Sequence, residues 1–155
     1  MDDRDHCLEV MTGLGVAFDE GNLEYIIKTI QDEQSLVLRL HAVCLLAEIG
    51  DERAIAPLSD VLLNDPDPLV RHESAFSLGQ IGLTGGCSAL EMALKTDSDA
   101  IVRHEAAAAL GSVGNRHSKN ALAEASNDED EIVRNSAQAS IFYLDFLNDS
   151  KKIGC

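Results

Sequence analysis

The amino-acid sequence predicts an all-α fold, a solenoid of about four to five stacked helical hairpins. A histidine followed by a glutamate occurs twice, 32 residues apart, at 72–73 and 104–105. Other residue types return with nearly the same period, namely Arg39, Arg71, Arg103 and Arg134, and Gly50, Gly82 and Gly114. Apolar residues inside each period have helical spacing. A fixed period of this length is typical of solenoid proteins, in which each repeat packs on its neighbours.

Each period is predicted to contain two helices. The apolar positions of the first helices are Leu23, Ile26, Ile27 and Ile30, and then Ile55, Leu58 and Leu62. Those of a second helix are Val70, Leu78 and Ile81. The repeated glycines are expected to end the second helices, and acidic loops at 64–68, 97–99 and 127–130 are expected to precede their starts.

The two ends of the chain extend this pattern. Leu14 and Gly15 lie 64 residues before Leu78 and Gly79, which indicates a degenerate first repeat within residues 1–20. Near the other end, residues 130–134 are predicted to open a last second helix, and its apolar positions are Ile141, Leu144 and Leu147. We therefore predict one domain over residues 1–150 and a polar C-terminal tail over residues 151–155.

The repeated arginines are predicted to have a structural role. Acidic loops precede three of them: Asp65 and Asp67 precede Arg71, Asp97 and Asp99 precede Arg103, and Asp128 and Asp130 precede Arg134. Such aspartates can cap the helix that follows and can pair with guanidinium groups of other repeats. We expect a ladder of these pairs to join the repeats.

Composition limits the classes of partner. The net charge is -15, with 27 acidic against 12 basic residues. This charge opposes binding to the phosphates of nucleic acids, and it favours a basic protein or a polyamine-like group. Simple solubility would explain the charge equally well. No apolar run is long enough for a membrane span, and the acidic N-terminus is unlike a signal peptide, so the predicted location is cytoplasmic.

The two histidine-glutamate pairs are not needed for stacking. The equivalent positions hold Leu40 and His41 in one flanking repeat, and Asn135 and Ser136 in the other. The four cysteines have no paired spacing, and Cys44 and Cys87 are expected to be buried free thiols. The packing of repeats on each other therefore does not explain the two histidine-glutamate pairs.

The pairs are candidate metal ligands. Second helices of neighbouring repeats pack about 8 to 10 Å apart, so His72 and His104 are expected to share one space. With Glu105 or Glu73 they form a set of two imidazoles and one carboxylate, which is the ligand set of non-haem iron sites and also suits zinc or manganese. Alternatively, the histidines are surface or capping residues, and the glutamates are favoured near helix N-termini by the helix dipole.

The segments 69–81 and 101–111 resemble deoxyhypusine hydroxylase, a HEAT-repeat di-iron monooxygenase, and the likeness extends from about Arg39 to Leu147. The resemblance implies that His72, His104 and Glu105 are iron ligands. It also implies that Glu73 is a catalytic or metal-associated glutamate that engages the substrate.

That family places two irons between two similar halves, and this chain resembles one half. The resemblance therefore implies a homodimer with one iron per chain and two per dimer, which binds dioxygen and hydroxylates a modified lysine on a translation factor. Two other functions are compatible with the sequence. One is a di-iron protein that binds oxygen species without this hydroxylation. The other is a metal-free HEAT-repeat adaptor for protein-protein interaction, similar to phycobilisome lyases.

Overall fold

The computed structural model describes residues 3–153, and these residues form nine α-helices and no strand. The helices are α1 (Asp3–Asp19), α2 (Leu23–Asp32), α3 (Leu36–Ile49), α4 (Glu52–Asn64), α5 (Pro68–Ile81), α6 (Cys87–Thr96), α7 (Ala100–Val113), α8 (Lys119–Ala125) and α9 (Glu131–Ile153). The predicted all-α solenoid is confirmed. Helix α9 includes the first three residues of the predicted tail, and residues 154 and 155 lie outside the described range.

The helices form two layers. One layer contains α2, α4, α6 and α8, and the other contains α1, α3, α5, α7 and α9. Each helix of the first layer packs against the second-layer helix that follows it, which gives four hairpins. Helix α1 packs on α2 and α3, in the place of a second helix, and so corresponds to the degenerate first repeat. No helix in residues 3–153 is long and apolar enough to cross a bilayer.

The predicted helix boundaries have the expected local causes. The side chains of Asp67 and Asp99 accept hydrogen bonds from the backbone N–H groups of Leu69 and Ile101, at 2.9 and 3.0 Å. This is N-terminal capping of α5 and α7. Gly82 ends α5 with φ at +71°, a left-handed conformation that favours glycine. Gly50 and Gly114 end α3 and α7 in the same way.

The arginine ladder is confirmed. Arg71 donates through Nε and Nη2 to the carboxylate of Asp97, at 2.8 and 2.9 Å, and through Nη1 to the backbone oxygen of Asp65, at 2.9 Å. Arg103 repeats these bonds with the carboxylate of Asp128 and the backbone oxygen of Asp97. Each arginine therefore joins the loop before its own helix to the equivalent loop of the next repeat. The aspartates in the ladder are different residues from those that cap the helices.

The ladder predicts an acid-dependent loss of stability. Hydrogen bonding by the Arg103 guanidinium holds the pKa of Asp128 below its usual 3.8, although burial of the carboxyl group opposes this. Because the folded pKa is depressed, the stabilisation is present above the unfolded pKa and is lost as the pH falls through the folded one. We expect the free energy of unfolding to decrease below about pH 4, as measured by urea unfolding between pH 3 and 7.

The variant Arg103→Ala tests this assignment. It should lower the free energy of unfolding at pH 7 by about 1.5 to 3 kcal/mol, the usual range for a hydrogen bond to a charged group. The free energy of unfolding of this variant should also decrease less between pH 7 and pH 3 than that of the wild type. Arg53→Ala is the surface control, because the pair between Arg53 and Asp51 is exposed and joins two residues at the start of α4. Its stability at pH 7 should change little. Equal stability losses in the two variants would contradict a special role for the ladder.

Two glycines allow close contact between second-layer helices. A Cβ atom at Gly79 of α5 would lie 2.9 Å from both Cα and Cβ of Ala109 in α7. A Cβ atom at Gly111 of α7 would lie 2.5 Å from the Oγ atom of Ser140 in α9. Real Cβ atoms do not approach other atoms this closely. Helices α5, α7 and α9 therefore pack more tightly than any side chain at these positions would permit.

We predict opposite effects for two glycine substitutions at the same position of the repeat. Gly79→Ala should destabilise the fold by about 1 to 3 kcal/mol, because the new methyl group overlaps the α7 backbone. Gly15→Ala, 64 residues earlier in α1, places its Cβ atom where nothing lies within 4 Å. It should stabilise the protein by about 0.5 to 1 kcal/mol, the helix preference of alanine over glycine. Chemical unfolding measures both, and the same sign in both variants would contradict the tight packing of α5 on α7.

Candidate metal centre

The four predicted ligand residues lie on the two central helices of the second layer. His72 and Glu73 follow the first turn of α5, and His104 and Glu105 occupy the same place on α7. All four side chains are half-buried, and the exposed Leu69 lies one turn before them on α5. The buried residues of these helices pack toward the first layer, so the four side chains lie on the outer face of the second layer.

The structure brings His72 and Glu105 together. The Nε2 atom of His72 lies 3.3 Å from Oε2 of Glu105, and these side chains are 29% and 14% exposed. Two ligands that each lie roughly 2.0 to 2.2 Å from one metal ion are separated by about 3 Å at an ordinary coordination angle. The same contact is also an ion pair when the histidine is protonated. The pair therefore fits a divalent cation in both donor type and spacing.

His104 has a different neighbour. Its Nδ1 atom lies 2.6 Å from the Oγ atom of Ser136 on α9. Ser136 holds the repeat position that Glu105 holds on α7, 31 residues earlier. The histidine position of one repeat therefore contacts the glutamate position of the next repeat. In the last repeat that position is a serine.

Glu73 lies beside Cys44 of α3. The Sγ atom of Cys44 donates to Oε1 of Glu73 at 3.7 Å. Burial raises the pKa of this thiol, and the negative charge of Glu73 raises it further, so the thiol stays protonated and can donate. Cys44 and Cys87 are free thiols, as expected, but only Cys87 is buried, whereas Cys44 is half-buried. The sequence did not predict the contact between Cys44 and Glu73. The one relevant signal in the sequence is that Cys44 lies one helical turn after Leu40, which holds the repeat position of His72.

The arrangement of the predicted ligands is therefore partial within one chain. His72 and Glu105 are in contact, whereas Glu73 and His104 each contact a residue outside the predicted set. Across residues 3–153, no group of three or more histidine, cysteine, aspartate or glutamate side chains is arranged to hold a metal ion. The ligand set of His72, His104, Glu105 and Glu73 stays a prediction.

One groove of the surface lies away from these residues. A groove of about 470 Å³ lies between α6 and α8 and includes Glu91, Met92 and Lys95 in its wall. It opens in the first layer, where α8 has only seven residues and Met92 of α6 is 52% exposed. None of the four predicted ligand residues contacts this groove, so it has no part in the candidate centre.

Comparisons with known proteins agree with this architecture. The family model for HEAT repeats matches residues 2–79, 23–111 and 57–141. The structure of human deoxyhypusine hydroxylase in complex with glycerol is similar, with 27% identity and a TM-score of 0.74. That match covers 81% of this chain and 44% of the human chain, so this chain spans less than half the length of that enzyme.

A second similar structure is the complex of CpcE and CpcF of phycocyanin lyase from Nostoc sp. PCC7120. Its identity is 18% and its TM-score 0.68, and the match covers 93% of this chain and 62% of that one. Identity at this level shows a shared fold alone. No curated protein sequence matches this chain.

Proposed function

Because this chain belongs to the HEAT-repeat family, we propose that it is a non-haem iron protein whose metal centre is formed by second-layer helices of consecutive repeats. In this proposal His72, His104 and Glu105 are the ligands. The contact of 3.3 Å between His72 and Glu105 is the observation that supports it most directly. That contact joins two different repeats and places a nitrogen and an oxygen donor at a separation that suits a shared cation.

We infer that the complete centre requires a second copy of the chain. One chain supplies two histidine-glutamate pairs, and it covers 44% of the solved deoxyhypusine hydroxylase chain. A two-fold axis that places the outer faces of two second layers opposite each other would provide four pairs and one iron per chain. Exposed aromatic side chains in the middle of α9, at Phe142 and Tyr143, offer apolar surface for such a contact.

The proposed activity is the oxidation of a cationic substrate. Bound iron would supply the activation of dioxygen, so that one oxygen atom enters a C–H bond of the substrate and the other is released as water, with two electrons and two protons provided by an external reductant and solvent. Glu73, the proposed catalytic glutamate, accepts a hydrogen bond from the Cys44 thiol through Oε1, which restrains the direction of the carboxylate. A carboxylate restrained in this way can receive the ammonium group of a lysine or polyamine side chain. The net charge of -15 favours the approach of such a substrate, or of a basic protein that contains it.

The decisive experiment measures iron per chain together with the native mass. Protein purified from iron-replete cells should contain about one iron per chain and should have the mass of a dimer. No stoichiometric iron after anaerobic loading with ferrous ion would contradict the metal centre. A monomer with iron bound would contradict only the shared site. Turnover of a deoxyhypusine-containing protein would then separate an oxygenase from a protein that binds dioxygen without this hydroxylation.

A metal-free interaction protein is the second candidate function. A row of exposed aliphatic side chains crosses the starts of four second-layer helices and consists of Val37, Leu69, Ile101 and Ile132. Such a row offers a continuous apolar surface to a protein partner. The likeness to the complex of CpcE and CpcF is compatible with a partner protein. This candidate would be favoured if iron-loaded preparations released the metal on gel filtration.

A further inference from the structure

We propose that Ser136 is a positioning residue that prepares His104 for metal binding. In this arrangement the Nδ1–H group of His104 donates to the Oγ atom of Ser136. The ring then has an unprotonated Nε2 atom, whose electron pair is available to a cation. This inference rests on the proposed function, because it assigns to Ser136 a role toward the same metal centre.

The hydrogen bond has the geometry of a specific contact. The distance from Nδ1 of His104 to Oγ of Ser136 is 2.6 Å, which is short for a bond between uncharged groups. The two ring nitrogens of imidazole point in widely different directions, so Nε2 is turned away from Ser136 and from α9. A neutral imidazole has one protonated and one unprotonated nitrogen, and the partner of one nitrogen decides which is which.

The position of Ser136 is restrained by its own helix. Ser140, one turn later on α9, is buried and donates through Oγ to the backbone oxygen of Ala107 at 2.9 Å. The same residue packs against Gly111, where α7 and α9 are too close for any side chain. Helix α9 therefore cannot shift along α7 without breaking these contacts. The hydroxyl of Ser136 is consequently presented to His104 at a fixed place.

The comparison with His72 explains why a serine is suitable here. His72 meets the next repeat through Nε2, and the group that it meets is the carboxylate of Glu105, itself a proposed ligand. His104 meets the next repeat through Nδ1, so its neighbour lies behind the proposed ligating atom. Histidines that bind metals usually donate their other ring N–H to such an oxygen acceptor. An uncharged hydroxyl performs this task without adding negative charge.

The first test uses the metal-free full chain. With ¹⁵N-labelled histidine at about pH 8, nuclear magnetic resonance should show His104 of the wild-type protein with hydrogen on Nδ1. Ser136→Ala should shift the ring toward the other tautomer, and Ser136→Thr should retain the wild-type state. A wild-type ring with hydrogen on Nε2 would mean that Ser136 is the donor, and this result would overturn the proposal.

The second test measures affinity for ferrous iron under anaerobic conditions, by competition with a chromophoric chelator. Ser136→Ala should weaken binding about 10- to 100-fold, the usual effect of removing an outer partner of a ligating histidine, and Ser136→Thr should restore it. Ser112→Ala is the matched control, because the Ser112 hydroxyl is exposed and bonds only within α7, to the backbone oxygen of Ala108.

The outcomes separate the two proposals. If wild-type protein binds iron and Ser136→Ala binds it equally well, the positioning role is wrong and the proposed function stands. If the wild-type protein binds no iron, the proposed function and the metal role of Ser136 both fail. Circular dichroism and thermal melting of each variant show whether weakened iron binding results from a loss of fold. In that case Ser136→Thr would not restore iron binding selectively.

Discussion

His72→Ala is expected to abolish stoichiometric iron binding and to leave the helical fold intact. The substitution removes the nitrogen donor that lies 3.3 Å from Glu105. The proposed set then keeps one imidazole, His104, and one carboxylate, Glu105, which is too few protein ligands for a tight transition-metal site. The imidazole is 29% exposed, so its loss leaves no enclosed cavity in the core. Iron content should fall from about one per chain to none, while the free energy of unfolding should change by less than about 1 kcal/mol.

His117→Ala is the matched control for this prediction. His117 is exposed and lies in the short turn Arg116–Ser118, before α8 and in the first layer. Its removal should leave both iron content and stability unchanged. His104→Ala should behave like His72→Ala. If His72→Ala lost helix content and still bound iron, the histidines would be structural residues and the assignment of the centre would be wrong.

Leu110→Ala should produce the largest loss of stability, about 2 to 5 kcal/mol. Leu110 is fully buried in α7, at the same repeat position as the fully buried Leu78 in α5. Truncation removes apolar contacts and leaves a cavity that the tight packing of α7 cannot close. Because domains of this size are usually stable by about 5 to 15 kcal/mol, the expected loss is a large share of the total.

Urea unfolding at pH 7 measures this effect, with Leu63→Ala as the control. Leu63 has the same side chain and lies near the end of α4, but it is 43% exposed. Its truncation should cost less than about 1 kcal/mol. Similar losses of unfolding free energy in the two variants would contradict the full burial of Leu110 in the core.

Much of the fold could be predicted because its causes are local in the chain. Apolar residues at helical spacing define the helices, while a capping aspartate such as Asp67 and a glycine such as Gly82 define their ends. The acidic loops and repeated arginines indicated a ladder correctly. The choice of carboxylate within each loop was open, since Asp65 and Asp67 both lie in the loop that precedes Arg71. The structure assigns Asp67 to capping and Asp65 to the arginine of the preceding repeat.

The shared face of the four predicted ligand residues could be inferred from the sequence, but the contacts of their side chains could not. Repetition at one helical position placed His72 and His104 on the same outer face. The contacts that they make depend on how far each second-layer helix is displaced along its neighbour. That displacement makes the histidine of one repeat meet the glutamate position of the next, and so His72 contacts Glu105 while His104 contacts Ser136.

Local patterns in the chain were thus sufficient for the helical hairpins, their order, their boundaries and the face that bears the candidate ligands. Partners across repeats, including Cys44 for Glu73 and Ser136 for His104, became clear only in the folded molecule. The reason is physical. Helix formation depends on residues a few positions apart, whereas the offset between neighbouring helices depends on contacts such as Gly79 against Ala109, which join residues 30 positions apart.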